Sequence, residues 1–273
     1  MYKKTDKSDN RVTINTLAKL KQQGEKFTCL TAYDASFAIL LDNAGVDVVL
    51  VGDSLGMVIQ GHDTTVPVTM EHMIYHASCV ASNLEHALLM VDMPFMSYTN
   101  IEQALKNAAR LMQEGGAQLV KLEGGRTQLD IVRALADRGV PVCAHLGLQP
   151  QSVHKTGGYH VQGRTRDAAQ TMIKDASLLE EAGADILLLE CVPDLLAQEI
   201  TSNVTIPVIG IGAGGNTDAQ VLVLQDILGI TPGRPPKFSK NFMAGKGSVR
   251  EAIDAYIQAV KNGRFPAEEH IFS

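Results

Sequence analysis

The chain has 273 residues, 45 % hydrophobic and 20 % charged, with a formal net charge of −6. An acidic balance of this kind is a poor match for nucleic acid or an anionic membrane surface. No apolar run is long enough to span a bilayer, and the opening MYKKTDKSDN lacks the apolar stretch of a signal peptide, so the expectation is a soluble cytoplasmic protein. Short apolar runs recur along the chain as FTCLTA (27–32), VDVVLVG (46–52), ALLMVD (87–92), QLVKLE (118–123), VPVCAHL (140–146), ADILLLE (184–190), IPVIGIG (206–212) and VLVLQD (221–226). They do not alternate, so both faces should be buried, as in a parallel sheet. Between them, 34–45, 69–85, 100–116, 128–139, 166–183 and 193–203 carry helical spacing, several ending in glycine before the next run, and 248–263 closes the chain. The link before the eighth run is too short for a full helix, and 54–68 is a long connection without helical period, suited to a lid.

Eight strands alternating with helices close more naturally than they lie open. The expectation is therefore an α/β fold, a (β/α)8 TIM barrel forming one domain over 1–273, preceded by a short polar segment of about ten residues. The rival is a doubly wound open sheet.

In such a barrel the C-terminal strand ends form the active face. VVLVGDS ends in Asp53 and Ser54, LLMVD in Asp92, VKLE in Glu123 and ILLLE in Glu190. One carboxylate at a strand end is commonly a cap or a solvated turn. Four on one rim repel one another and call for a cation, and hard oxygen ligands without thiolate or imidazole partners suit Mg²⁺ rather than zinc. Lys121 shares a strand face with Glu123, to pair either with a neighbouring carboxylate or with an anionic substrate. His145 ends the fifth run, where it is either a hydrogen-bonded core residue or a substrate contact, the polar neighbours favouring the second.

Other features carry less. Cys29, Cys79, Cys143 and Cys191 form no C-x-x-C and read as buried reduced thiols, three of them in strands. His72 and His76 lie one turn apart, but the order EHMIYH is not that of a zinc protease, and they read as a plain helix surface. IGIGAGG (209–215) lacks the Lys-Ser/Thr of a P-loop, so its glycines could serve only to keep the mouth open for a flat ligand.

VGDSLGMVIQGHDTTVPVTMEHMIYH, VDMPFMSY, VKLEGG, VPVCAHLGLQPQSV, GGYHVQGR, LLLECVP, PVIGIGAG and PKFSKNF together resemble the ketopantoate hydroxymethyltransferase family, in the family's order, from about Asn10 to Ser273. The resemblance implies a barrel of the phosphoenolpyruvate mutase and isocitrate lyase group. It also implies transfer of a one-carbon unit from 5,10-methylenetetrahydrofolate to 3-methyl-2-oxobutanoate, the first committed step toward pantothenate. One Mg²⁺ per subunit and large homo-oligomers, often decamers built as pentamers of dimers, are further implications. By motif position, Asp53 and Asp92 match metal-binding and substrate-contacting aspartates, Glu123 the third acidic metal-site residue, Ser54 and Lys121 contacts to the substrate carboxylate, and Glu190 the proton acceptor. A lyase of the same barrel group would carry a K-x-C-G-H stretch, which is absent from the sequence. An inactive scaffold would have lost at least one of Asp53, Asp92, Lys121 and Glu190.

Overall fold

The computed structural model describes residues 11–231 and 233–273, so the expected polar segment 1–10 lies outside the described residues. The strands are β1 (Phe27–Thr31), β2 (Val48–Val51), β3 (Leu88–Asp92), β4 (Leu119–Glu123), β5 (Val142–Gly147), β6 (Ile186–Glu190), β7 (Val208–Ile211) and β8 (Ala219–Leu222). They pair in chain order, all parallel, and β8 returns to β1 with Cys29 opposite Val221, closing the barrel.

The helices are α1 (Ile14–Gln23), α2 (Ala35–Ala44), α3 (Leu55–Val58), α4 (Met70–Ala81), α5 (Ile101–Gln113), α6 (Leu129–Ala136), α7 (Val153–Thr156), α8 (Arg166–Glu181), α9 (Asp194–Asn203), α10 (Leu224–Leu228) and α11 (Val249–Lys261). Many of the longer ones begin at a side chain that accepts an otherwise unpaired backbone N–H: Thr13, Asp34, Thr69, Asn100, Thr165 and Ser248 all do so. Leu41, Met73, Leu111 and Tyr256 are fully buried, each on a helix of the outer layer. Each such side chain contributes roughly 1.5–3 kcal/mol by leaving water. No described helix is long and apolar enough to cross a membrane.

Three elements depart from the sequence reading. β8 lies at Ala219–Leu222 rather than 221–226, and Leu224–Leu228 is the buried helix α10. A short apolar run does not distinguish a buried strand from a buried helix by period. The polar Gln220 belongs to the strand because its amide donates to Gly214 O and Thr217 Oγ1, both at 2.9 Å. α1 had no counterpart, since Leu17 is its one fully buried residue and its apolar stripe is thin. The 54–68 connection starts with the single helical turn α3.

Candidate active site

The carboxylates at the strand ends converge on one cavity of about 530 Å³, lined by Asp53, Ser54, Asp92, Lys121, Glu123, His145 and Glu190 at its floor. Register explains the convergence. Asp92 on β3 stands beside Lys121 on β4, and Glu123 stands beside His145 on β5. Lys121 and Glu123 are two residues apart and share a face. Gly147 (φ +94°) lets β5 pass close to β6: a Cβ there would lie 2.2 Å from Glu190 O, which instead accepts the Leu148 N–H at 2.8 Å. That contact anchors the backbone of Glu190 at the rim.

The floor holds more negative charge than it can neutralise. Lys121 Nζ lies 2.9 Å from Asp92 Oδ1, both side chains almost fully buried. Burial opposes the lysine's charge, but Asp92, Glu123 and Asp53 together raise its pKa. Asp92 Oδ2 accepts the backbone N–H of Asp53 at 3.0 Å. Burial, with Asp92 beside it, pushes Asp53 up to about 7. Burial and then the Asp53 charge raise Glu123 far above the usual carboxylate range. Glu190, whose carboxyl is partly open to the cavity, is pushed up to about 8, mainly by burial.

His145 sits between two of these acids. Its Nδ1 is 3.7 Å from Glu123 Oε1 and its Nε2 is 3.4 Å from Glu190 Oε2. Neither contact has hydrogen-bond geometry, and both ring nitrogens lack a partner. Burial and the Lys121 charge hold the imidazole well below its ordinary pKa, so it is neutral and forms no ion pair.

Among the described residues no three acidic, histidine or cysteine side chains form a closed ligand set. The free lone pairs show why. Asp92 is engaged by Lys121 and Asp53 N, and Asp53 Oδ2 accepts Gln151 Nε2 at 2.8 Å. Glu123 Oε2 accepts Gln151 N at 3.1 Å, while Glu123 Oε1 has no hydrogen-bond partner. Such a floor fits a hard divalent cation that takes one or two carboxylates and completes its shell with water and substrate, as Mg²⁺ does.

The remaining sequence candidates resolve simply. Ser54 Oγ is 2.7 Å from the hydroxyl of Tyr33, a buried residue just past the end of β1. His76 Nδ1 contacts Tyr33 O at 2.8 Å, and His72 caps the N-terminus of α4 with Thr69, so the two histidines are structural. Cys29 and Cys143 are buried in strands and Cys191 lies just past β6. Burial raises all three thiols, and Cys79 is half-buried on α4.

The chain matches the profile of the family described as ketopantoate hydroxymethyltransferase over residues 11–268. A protein from Alkalilimnicola ehrlichii named 3-methyl-2-oxobutanoate hydroxymethyltransferase is 62 % identical over 261 residues, covering 96 % of this chain and 94 % of that protein. One of the same name from Shewanella loihica is 58 % identical, covering 97 % of this chain and all of its own. The chain belongs to the ketopantoate hydroxymethyltransferase family. It is therefore an enzyme, a hydroxymethyltransferase. Solved structures share the fold alone: phosphonopyruvate hydrolase has a TM-score of 0.59 at 16 % identity, covering 93 % of this chain and 100 % of that one. 2,3-Dimethylmalate lyase has a TM-score of 0.57 at 15 % identity, covering 77 % of this chain and 80 % of that one.

In this hydroxymethyltransferase the structure adds one residue that the sequence reading left without a role. Gln151 is buried and bridges the floor: its side-chain N–H groups reach Asp53 Oδ2 and Met93 O, its backbone N–H reaches Glu123, and its Oε1 accepts Tyr98 OH at 2.6 Å. The one sequence clue was a polar, proline-bearing segment, LQPQSV, directly after β5. Loops at that face carry function more often than loops elsewhere.

Proposed function

We propose that the enzyme transfers a one-carbon unit from 5,10-methylenetetrahydrofolate to C3 of 3-methyl-2-oxobutanoate, giving 2-dehydropantoate on the route to pantothenate. Mg²⁺ serves at the floor, and the enzyme works as a homo-oligomer in the cytoplasm. The observation that carries this reading is the division of labour among the acids. Asp53, Asp92 and Glu123 are tied into one hydrogen-bonded group with Lys121 and Gln151, while Glu190 on β6 makes no hydrogen bond to that group and its Oε2 lies 3.4 Å from His145 Nε2.

When bound by Asp53, Asp92 and Glu123, Mg²⁺ would polarise the keto oxygen of the substrate and offset the charge that develops there. Lys121 and the Ser54 hydroxyl receive the substrate carboxylate. Glu190 takes the C3 proton. Burial makes its carboxylate a stronger base than a solvated glutamate, and its pKa of about 8 places it near the working range of a general base. His145, held neutral, adds no positive charge beside Glu190 and, with both ring nitrogens free of protein partners, serves as a substrate contact. The C3–H bond breaks, its electrons form the new C–C bond to the one-carbon unit, and water supplies the hydroxyl oxygen. Hydrolysis of the donor's iminium to formaldehyde in place accounts for a product without a carbon–nitrogen bond.

The test is a proton NMR time course in D₂O with enzyme, Mg²⁺, the oxo acid and the folate, beside a chelator-treated twin. The expected result is a new hydroxymethyl signal that disappears with chelator. Metal-dependent loss of the C3 proton signal without product would keep the enolising floor and reject the donor. Neither change, with folded protein and bound metal confirmed, would overturn the proposal.

A further inference from the structure

The floor uses only part of the cavity. A volume of about 530 Å³ is that of a pocket for a drug-sized ligand, far more than a five-carbon oxo acid fills. The remaining wall has a different character. Four basic side chains line the cavity: Lys121, His145, Arg234 and Lys237. Lys121 is paired with Asp92 and His145 is neutral. The two remaining cations both come from the segment after α10 and stand at the lip. Arg234 is exposed and makes no hydrogen bond or ion pair with any described residue. Lys237 Nζ donates to Ile271 O and lies 5.2 Å above the Phe272 ring, so no described carboxylate offsets its charge.

The same lip is aromatic. Phe238 and Phe272 both reach the end of β7, where Gly212 (φ +60°) leaves them room: a Cβ there would come within 2.9 Å of Phe238 and 3.1 Å of Phe272. On this wall Asp226, buried, accepts Thr231 Oγ1 at 2.6 Å, which ties the lip segment to α10. A buried carboxylate and flat rings lining one cavity suit the N–H edge and the face of a heterocycle, and unpaired cations at the lip suit carboxylates. None of these groups serves a small oxo acid held on the floor.

We propose that Asp226, Phe238 and Phe272 hold the pterin-like ring of the reduced folate and that Arg234 and Lys237 bind the carboxylates of its glutamate tail. This rests on the proposed function, because it assigns the second substrate of the same cavity. The lip delivers the one-carbon unit above the floor and leaves the floor residues free for the oxo acid. Because the lip cations are exposed, their hold on the tail weakens with salt and grows with each added glutamate.

The experiment is calorimetric binding of tetrahydrofolate carrying one or three glutamates to the intact Mg²⁺-loaded enzyme. In parallel, folate-free C3 deuterium exchange of 3-methyl-2-oxobutanoate by the wild-type enzyme reports on the floor alone. The double variant Arg234→Ala/Lys237→Ala should bind the triglutamate about ten-fold more weakly, the loss of one or two charge-assisted contacts. The monoglutamate should lose less, and Arg234→Lys/Lys237→Arg should stay close to wild type. Equal triglutamate affinity in wild type and the alanine variant overturns the lip assignment. Wild-type exchange without any folate binding overturns it while keeping the enolising floor. Absence of both exchange and binding overturns the lip and the proposed function together.

Discussion

The two ends of the barrel surround their acidic residues differently. At the N-terminal end, Asp47 accepts Thr28 N and Thr28 Oγ1, both at 2.8 Å, and pairs with Lys261. Asp218 accepts Lys21 Nζ at 2.9 Å and Val208 N at 2.8 Å. Asp42 accepts the N–H groups of Glu85, His86 and Ala87. Burial works against the charge of Asp42, but these backbone bonds prevail and lower its pKa. At the C-terminal end, Asp53, Asp92, Glu123 and Glu190 share a single charged lysine, and Asp53, Glu123 and Glu190 are pushed upward. The closed end shows that this chain can satisfy a buried or half-buried acid when only folding is at stake. The open end is left short of positive charge, as expected of a site that the proposed cation and substrate would complete.

The sharpest way to break that comparison is at Glu190. Glu190→Gln keeps the shape and removes the base, so C3 deuterium exchange should fall about 10³-fold, within the range for a general base. Oxo-acid binding measured by calorimetry should persist. Exchange at the wild-type rate would remove Glu190 from the proton step.

Gln151 probes how the floor is held rather than what it reacts with. Gln151→Ala deletes the side-chain bonds to Asp53, Met93 and Tyr98 but keeps the backbone N–H to Glu123. Mg²⁺ affinity should drop about ten-fold, as expected when a support of a ligating carboxylate is lost. The pH dependence of metal binding should shift upward, because Asp53 loses a hydrogen bond that lowers its pKa. Loss of stability with unchanged metal affinity and pH profile would leave Gln151 a purely structural residue.

The fold was legible because a parallel sheet buried on both faces writes itself as unbroken Val, Ile and Leu runs, and because each polar strand end interrupts such a run visibly. Asp92, Glu123 and Glu190 stand out for that reason, as the last residues of β3, β4 and β6. What stayed hidden depends on geometry that no run encodes. Gln151 reaches the floor only through the turn between β5 and α7. Tyr33 supports Ser54 across the gap between β1 and β2. Lys121 was left between two partners by its sequence, and in the structure it pairs with Asp92. β8 was misplaced because Gln220 looks like a loop residue until its two amide bonds are seen.

At the closed end, Asp47→Ala should act on stability alone. It leaves the buried Thr28 N–H without its acceptor and Lys261 without its partner. Unsatisfied buried donors cost about 1–3 kcal/mol, or a fall in Tm of roughly 5 °C for a chain of this size. The turnover of the folded fraction should stay unchanged. A fall in kcat without a fall in Tm would mean that the two ends are not separate in function.

The pH dependence of stability is the most direct reading of the charge deficit. Asp53 moves from an ordinary 3.8 to about 7 and Glu190 from 4.5 to about 8 on folding. Between those limits the folded protein holds protons that the unfolded chain has released. Stability therefore falls as pH rises through the window, and Glu123, raised in the same direction, adds to the fall. Asp42 has the opposite sign, but its pKa lies below 3.8, so its effect belongs to more acidic solution. His145, held below its ordinary 6.5, also has the opposite sign and offsets part of the slope below that pH. Chelator-treated enzyme should lose roughly 10 °C in Tm between pH 5.5 and 8.5. Saturating Mg²⁺ should flatten the slope and release protons on binding, because ligating carboxylates must be ionised. Glu190→Gln should remove the upper part of the slope and leave the part that belongs to Asp53. A flat Tm in the chelated protein would mean that the mouth carries no excess of buried charge, and the contrast between the two ends would fail with it.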